Sequence, residues 1–191
     1  MLVAGDSLYH MIDMARKVVG VGSVGTRCFI ALFTGKHEDD PLFLQIKEAT
    51  SSVLERHLKR SVYRNHGQRV VEGQRQTQAA SDAFLGWIRG RDEEHRDFYW
   101  RQLRDVKGSV DPDTISPAAL TLYGELCGAG LARAHARSGD AAAIAGYVGT
   151  GPAFAQAIAA FAEAYADQTE RDHGALEEAA RTGRIQVRGG V

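Results

Sequence analysis

Gly20-Val21-Gly22-Ser23-Val24-Gly25 is a complete G-x-G-x-x-G, and it sits between two stretches that both read as β-strand. Upstream lies Met14-Ala15-Arg16-Lys17-Val18-Val19. Downstream, Thr26-Arg27-Cys28-Phe29-Ile30-Ala31-Leu32-Phe33 is rich in β-branched and aromatic residues, the composition of a half-buried strand. A dinucleotide-binding turn instead runs from a strand into a helix and is followed about twenty positions later by an acidic residue. Here that distance brings an apolar third strand, Leu42-Phe43-Leu44-Gln45-Ile46, which leads into Lys47. A glycine loop inside a hairpin, followed by a strand-borne lysine, is the arrangement that covers the phosphates in kinase-type phosphotransferases.

The residue types suit that chemistry. Glycine has no Cβ, so backbone N–H groups can lie directly against phosphate oxygens, and lysine adds a compact positive charge. The competing account is a hairpin whose glycines serve only turns and close backbone approach, with Lys47 snorkelling to solvent from a strand end.

Composition narrows the classes further. With 44% hydrophobic and 25% charged residues, the chain suits one globular domain or a two-lobed unit. A net charge of −1 excludes the broad basic face of a general nucleic-acid binder. That total conceals a basic stretch from Glu55 to Arg75. Six cations (Arg56, Lys59, Arg60, Arg64, Arg69, Arg75) face two acids (Glu55, Glu72) there, a net of +4. It is either a solvated basic face or an anion patch near the glycine loop. Cys28 and Cys127 have neither metal-ligand nor redox spacing, so both are expected as reduced core thiols. The first seventeen residues carry Asp6, His10 and Asp13 without an apolar core, and no apolar run reaches about eighteen residues. A cytoplasmic protein without a membrane span is expected.

The pattern predicts strands near 8–20, 26–35 and 42–48, with Lys36-His37-Glu38-Asp39-Asp40-Pro41 turning the second hairpin. A helical turn or loop follows from Ser51-Ser52 through the basic stretch. A helix is expected from about His66 to Trp87, a charged loop from Arg89 to Arg96, and a strand over 97–105. Alanine and glycine dominate from Ser116 onward, predicting helices near 116–138, 140–148 and 151–182 and a fraying tail from Gly183. Ser116-Pro117 is an N-cap followed by an N1 proline. Gly139 suits a C′ position and Asp140 the next N-cap. The expected fold class is α+β: a kinase N-lobe-like antiparallel sheet with one packed helix over 1–110, then a helical region over 111–191.

Six ordered runs carry a resemblance. They are Val19-Gly20-Val21-Gly22-Ser23-Val24-Gly25-Thr26-Arg27, Leu42-Phe43-Leu44-Gln45-Ile46-Lys47-Glu48-Ala49 and Asn65-His66-Gly67-Gln68-Arg69-Val70-Val71, followed by Ser81-Asp82-Ala83-Phe84-Leu85-Gly86-Trp87, Arg101-Gln102-Leu103-Arg104-Asp105 and Leu131-Ala132-Arg133-Ala134-His135-Ala136-Arg137-Ser138-Gly139-Asp140. From about Asp13 to Arg184 the chain resembles the bacterial domain-of-unknown-function family 2252. That resemblance implies distant kinship with aminoglycoside and protein kinases. It also implies that members are longer than this chain. The additional portion lies upstream, with a Gly-Asp-x-His-x-x-Asn segment and an Asn-Asp-Phe-Asp segment as the expected catalytic aspartate and metal ligands.

This chain's own residues agree that such groups are missing from it. Kinase-type transfer uses an aspartate at the acceptor hydroxyl, plus an asparagine and a further aspartate on magnesium. The single asparagine is Asn65, ahead of the helix. His135 to Asp140 has the look of a histidine-to-aspartate catalytic loop, but no asparagine follows it, and helix capping explains Gly139 and Asp140 better. No catalytic or metal residue is assigned. The expected nucleotide contacts are Gly20, Gly22, Ser23, Gly25 and Lys47, with Glu72 orienting the lysine and Asp82 the weaker choice. ATP is the expected cofactor, and magnesium joins only where a partner completes the site. The alternative is a non-enzymatic interaction module, or half of a split protein that pairs with a partner or with itself. Neither nucleic acid nor membrane is expected as a partner.

Overall fold

The computed structural model describes residues 8–17, 25–37, 39–90, 94–103, 110–111 and 113–187. Three strands open the chain: β1 (His10–Arg16), β2 (Cys28–Thr34) and β3 (Pro41–Ala49). Their alternation builds one apolar sheet face. Ala31 pairs with Leu44 and Phe33 with Leu42, so these four buried side chains meet across the strands, with Tyr9, Ile46, Phe84 and Trp100 packed around them. Pro41 opens β3, the strand position where a missing N–H costs least. The expected turn between β2 and β3 is present: Gly35 N donates to Asp40 O at 3.0 Å and Asp40 N to His37 O at 3.1 Å. Glu38 lies outside the described residues.

After a 3₁₀ turn at Val53–Arg56 comes helix α1 (His66–Thr77). Asn65 caps it by accepting from Gln68 N at 2.9 Å. The helix expected to reach Trp87 stops ten residues sooner, at Thr77, with Gln78 already extended. Asp82 explains the stop. Its carboxylate accepts from Phe84 N at 2.8 Å and from Gln102 N at 2.6 Å, a local turn that competes with helix and ties the segment to the sheet. Gly86–Arg89 then forms β4, where a helix end and the start of a loop were expected, and pairs antiparallel with β5 (Asp97–Gln102). Gly86 is needed because the Trp100 ring lies over it, and a Cβ there would come within 2.4 Å of that ring.

The strand order is β1-β2-β3-β5-β4, with every neighbouring pair antiparallel. Helix α1 connects β3 to β4 and packs on β3, β4 and β5, burying Val71 completely. Helix α2 (Pro117–Ser138) begins as expected, with Ser116 Oγ accepting from Ala119 N and Pro117 in the first turn. It is fastened to α1: Gln76 Nε2 donates to Arg137 O at 3.3 Å, and Arg137 donates to the carbonyl of Gln78 at the α1 terminus.

Two compact units divide after Asp140. The change of composition near residue 110 therefore precedes that division, and α2 groups with the sheet. The second unit holds α3 (Ala141–Val148) and α4 (Ala153–Arg181). Gly149, at φ +66°, closes α3 by donating to Ala145 O, and Tyr147 meets Phe154 edge to face at 6.2 Å. Gly183, at φ +72°, closes α4, where Ile185 N also returns to Ala179 O. Residues 183–187 thus carry a helix stop rather than a frayed end. The class is α+β.

Candidate functional site

The glycine-rich segment connects two antiparallel neighbours, β1 and β2. Lys17 N donates to Cys28 O at 2.9 Å at the base of the connection. It therefore lies between the two strands of a β-hairpin, and the described residues from Gly25 onward lead into β2 rather than into the helix that a dinucleotide turn opens. Gly20, Gly22 and Ser23 lie outside the described residues. Gly25 is described at φ +80°, in left-handed space, with nothing within 4 Å of where a Cβ would point. Its glycine is required by conformation rather than by crowding.

Lys47 lies two residues before the end of β3, in register with Cys28 of β2 and Tyr99 of β5. Directly opposed residues share a sheet face, so Lys47, Cys28 and Tyr99 cluster beside the end of the glycine connection. Lys47 is half-buried and makes no ion pair among the described residues. Burial pushes the Cys28 thiol up from its ordinary value of 9.0, opposed by the positive charges of Lys47 and Lys17. Burial also raises the Tyr99 phenol, with Arg101 opposing. Asp97 shares this face through its pairing with Ala49, and its carboxylate holds the start of α1.

Glu72 does not meet Lys47. Its carboxylate takes the Arg75 guanidinium at 3.1 Å, one turn along the same helix. Asp82 is occupied in the turn before β4. The carboxylate that does serve this region is Glu48, which sequence reasoning missed. Glu48 Oε2 accepts from Arg27 N at 3.0 Å, and Glu48 N donates to Arg27 O at 2.8 Å. Glu48 Oε1 pairs with Arg96 at 3.6 Å, both side chains only 15% exposed. Glu48 thus clamps the exit of the glycine connection onto β3, on the sheet face opposite Lys47.

The remaining candidates are structural. Asn65, the chain's one asparagine, is buried, capping α1 while its Nδ2 donates to Asp97 at 2.7 Å. His135 lies inside α2, and its carbonyl accepts from Gly139 N. The stretch is a helix end, with Gly139 extended rather than left-handed. No cluster of three His, Cys, Asp or Glu side chains able to hold a metal exists among the described residues. No described helix is long and apolar enough to cross a membrane.

Cys28 is a core thiol as expected, but Cys127 is exposed. The correction follows from α2, which buries none of its residues. Iodoacetamide at neutral pH is expected to alkylate Cys127 and to leave Cys28 untouched until urea unfolds the chain, as peptide mass spectrometry would show. The thiolate is the reactive form, and burial disfavours it at Cys28.

Neither a curated protein nor a solved structure matches the chain. A family match spans residues 2–179, covering both the glycine hairpin and Lys47, and the chain belongs to that family, the uncharacterized proteins conserved in bacteria termed DUF2252.

Proposed function

We propose that this chain binds the phosphates of a nucleotide such as ATP in the manner of a kinase N-lobe, through the glycine-rich β1–β2 connection and Lys47. The observation that carries this is the order of parts: a glycine hairpin, a lysine late in β3, and a helix between β3 and β4. Protein kinases place a glycine-rich loop over the phosphates, the lysine on their third strand, and a carboxylate on the helix that follows. Lys47 has no anionic partner among the described residues, so an incoming phosphate would not have to displace one. Glu72 could turn to Lys47 only by releasing Arg75, an exposed pair worth about 0.5 kcal/mol. The described residues do not make a magnesium site, since Asn65 is held in the α1 cap. No phosphotransfer step is therefore assigned to these residues, and the catalytic aspartate and the metal ligands would have to come from outside the described residues.

The test is calorimetric titration of ATP into wild type and Lys47→Met. Methionine keeps the apolar stem and removes the charge. Loss of one charge-assisted contact, about 1.5–3 kcal/mol, should weaken binding by roughly tenfold or more, with the melting temperature nearly unchanged. Equal affinity in the two proteins would make Lys47 a structural residue.

A non-enzymatic interaction module is the second candidate, favoured by a different observation. The sheet face opposite Lys47 carries an apolar hollow of about 510 Å³, walled by residues such as Met14, Phe29, Ile46 and Trp100. A chain that ignores ATP in the titration but pairs with a second polypeptide would belong to this class.

A further inference from the structure

We propose that the β3–α1 connection holds a second anion site, distinct from the glycine hairpin, that takes the phosphate of a small phosphorylated molecule on Arg56, Arg60 and Arg64. The stretch from Thr50 to His66 forms an open cavity of about 740 Å³ lined by these three arginines together with Ser51, Ser61, Tyr63 and His66, among others. That volume falls within the usual range for small-molecule sites and exceeds what one phosphate needs.

The basic stretch divides sharply by what its cations do. Arg69 donates to Thr50 O at 2.9 Å, and Arg75 is held by Glu72 and by Leu85 O. Those two guanidinium groups hold the fold together. Among the described residues, Arg56, Arg60 and Arg64 have no ion pair and no side-chain hydrogen bond, and all three are exposed. Among the described residues the only acid on the cavity wall is Glu55, whose Oε1 accepts from Ser61 N at 3.4 Å. Three arginines against one glutamate leave the wall at +2, counting histidine as neutral.

His66 also lines the cavity, at the start of α1. The α1 terminus itself contributes little, since its first N–H groups are taken by Asp97 and Asn65. Planar guanidinium groups match phosphate oxygens in bidentate geometry. Val53 and Tyr63, 75% and 36% exposed on the same wall, offer apolar contact to the body of the ligand.

The experiment is calorimetric titration of pyrophosphate into wild type, Lys47→Met, and the triple variant Arg56→Gln, Arg60→Gln, Arg64→Gln made in the Lys47→Met background, so that the hairpin does not contribute. Lys47→Met should retain the wild-type affinity at this site. The triple variant should lose at least tenfold, with an unchanged melting temperature, because its three positions are exposed and unbonded. In wild type, the arginine Nε–Hε resonances of these residues should shift on titration. Saturable binding that survives the triple variant, binding abolished by Lys47→Met, or no saturable binding at all would each overturn the proposal. Its failure leaves the hairpin proposal untouched, since that rests on ATP and Lys47→Met.

Discussion

Asp97→Ala should lower the stability of the sheet unit by about 3 kcal/mol, the larger part of it from groups left without partners. Asp97 is 6% exposed and joins three elements. Its Oδ1 accepts from Asn65 Nδ2 at 2.7 Å and from Arg89 Nε at 2.9 Å, and its Oδ2 accepts from His66 N at 2.8 Å. Alanine would leave a buried amide and the first N–H of α1 unsatisfied, and would loosen the Asn65 cap, itself worth about 1 kcal/mol. Arg89 is half exposed and returns to water, so its share is small. Asp97→Asn keeps one carbonyl oxygen and should cost less than half as much. Urea unfolding followed by tryptophan fluorescence reads both, and an alanine variant within about 0.5 kcal/mol of wild type would show that this junction is not what anchors α1.

Gly67→Ala and Gly73→Ala should move stability in opposite directions although both lie on α1. A Cβ at Gly67 would sit 2.2 Å from the carbonyl oxygen of Phe98 and 2.8 Å from its carbon. These are backbone atoms of β5, so no rotamer change relieves the clash, and α1 must move off the sheet. Overpacking of this kind costs about 3 kcal/mol, more than the roughly 1 kcal/mol alanine gains over glycine within a helix. At Gly73 nothing lies within 4 Å, so the helical gain stands alone and the variant should be stabilised by about 0.5–1 kcal/mol. Paired thermal melts test the contrast, and destabilisation of the same size at both positions would contradict the packing of α1 on β5.

Much of this fold is legible in the sequence because its signals are local. The apolar runs from Cys28 to Phe33 and from Leu42 to Ile46, with a polar turn between them, predict the hairpin, but runs apolar at nearly every position do not tell its buried face. Ser116-Pro117 predicts the start of α2. The end of α1 was hidden because the residues between Gln78 and Trp87 are individually compatible with helix. What stops them is a long-range bond from Asp82 to Gln102 and the stacking of Trp100 on Gly86. Strand β4 escaped for the same reason, since a four-residue strand gains its stability from β5 rather than from propensity.

The site divides in a similar way. The hairpin setting of the glycines and the placement of Lys47 on a strand follow from local pattern. Glu48 acts through Arg27 and Arg96, twenty-one and forty-eight residues away in sequence, and no spacing rule points to such partners. Position on α1 singles out Glu72, yet Arg75 three residues on is a nearer partner, as helical spacing indicates.

The most direct test of phosphate binding by the hairpin is an amide chemical-shift titration with ATP, run in parallel on wild type and Lys47→Met. Wild type should show saturable shifts at Gly20, Gly22 and Gly25 and around Lys47, and Lys47→Met should lose most of them while keeping its dispersed spectrum. Identical shifts in the two proteins, or no shift at the three glycines with ATP raised to about 5 mM, a concentration that would register even a millimolar Kd, would contradict it.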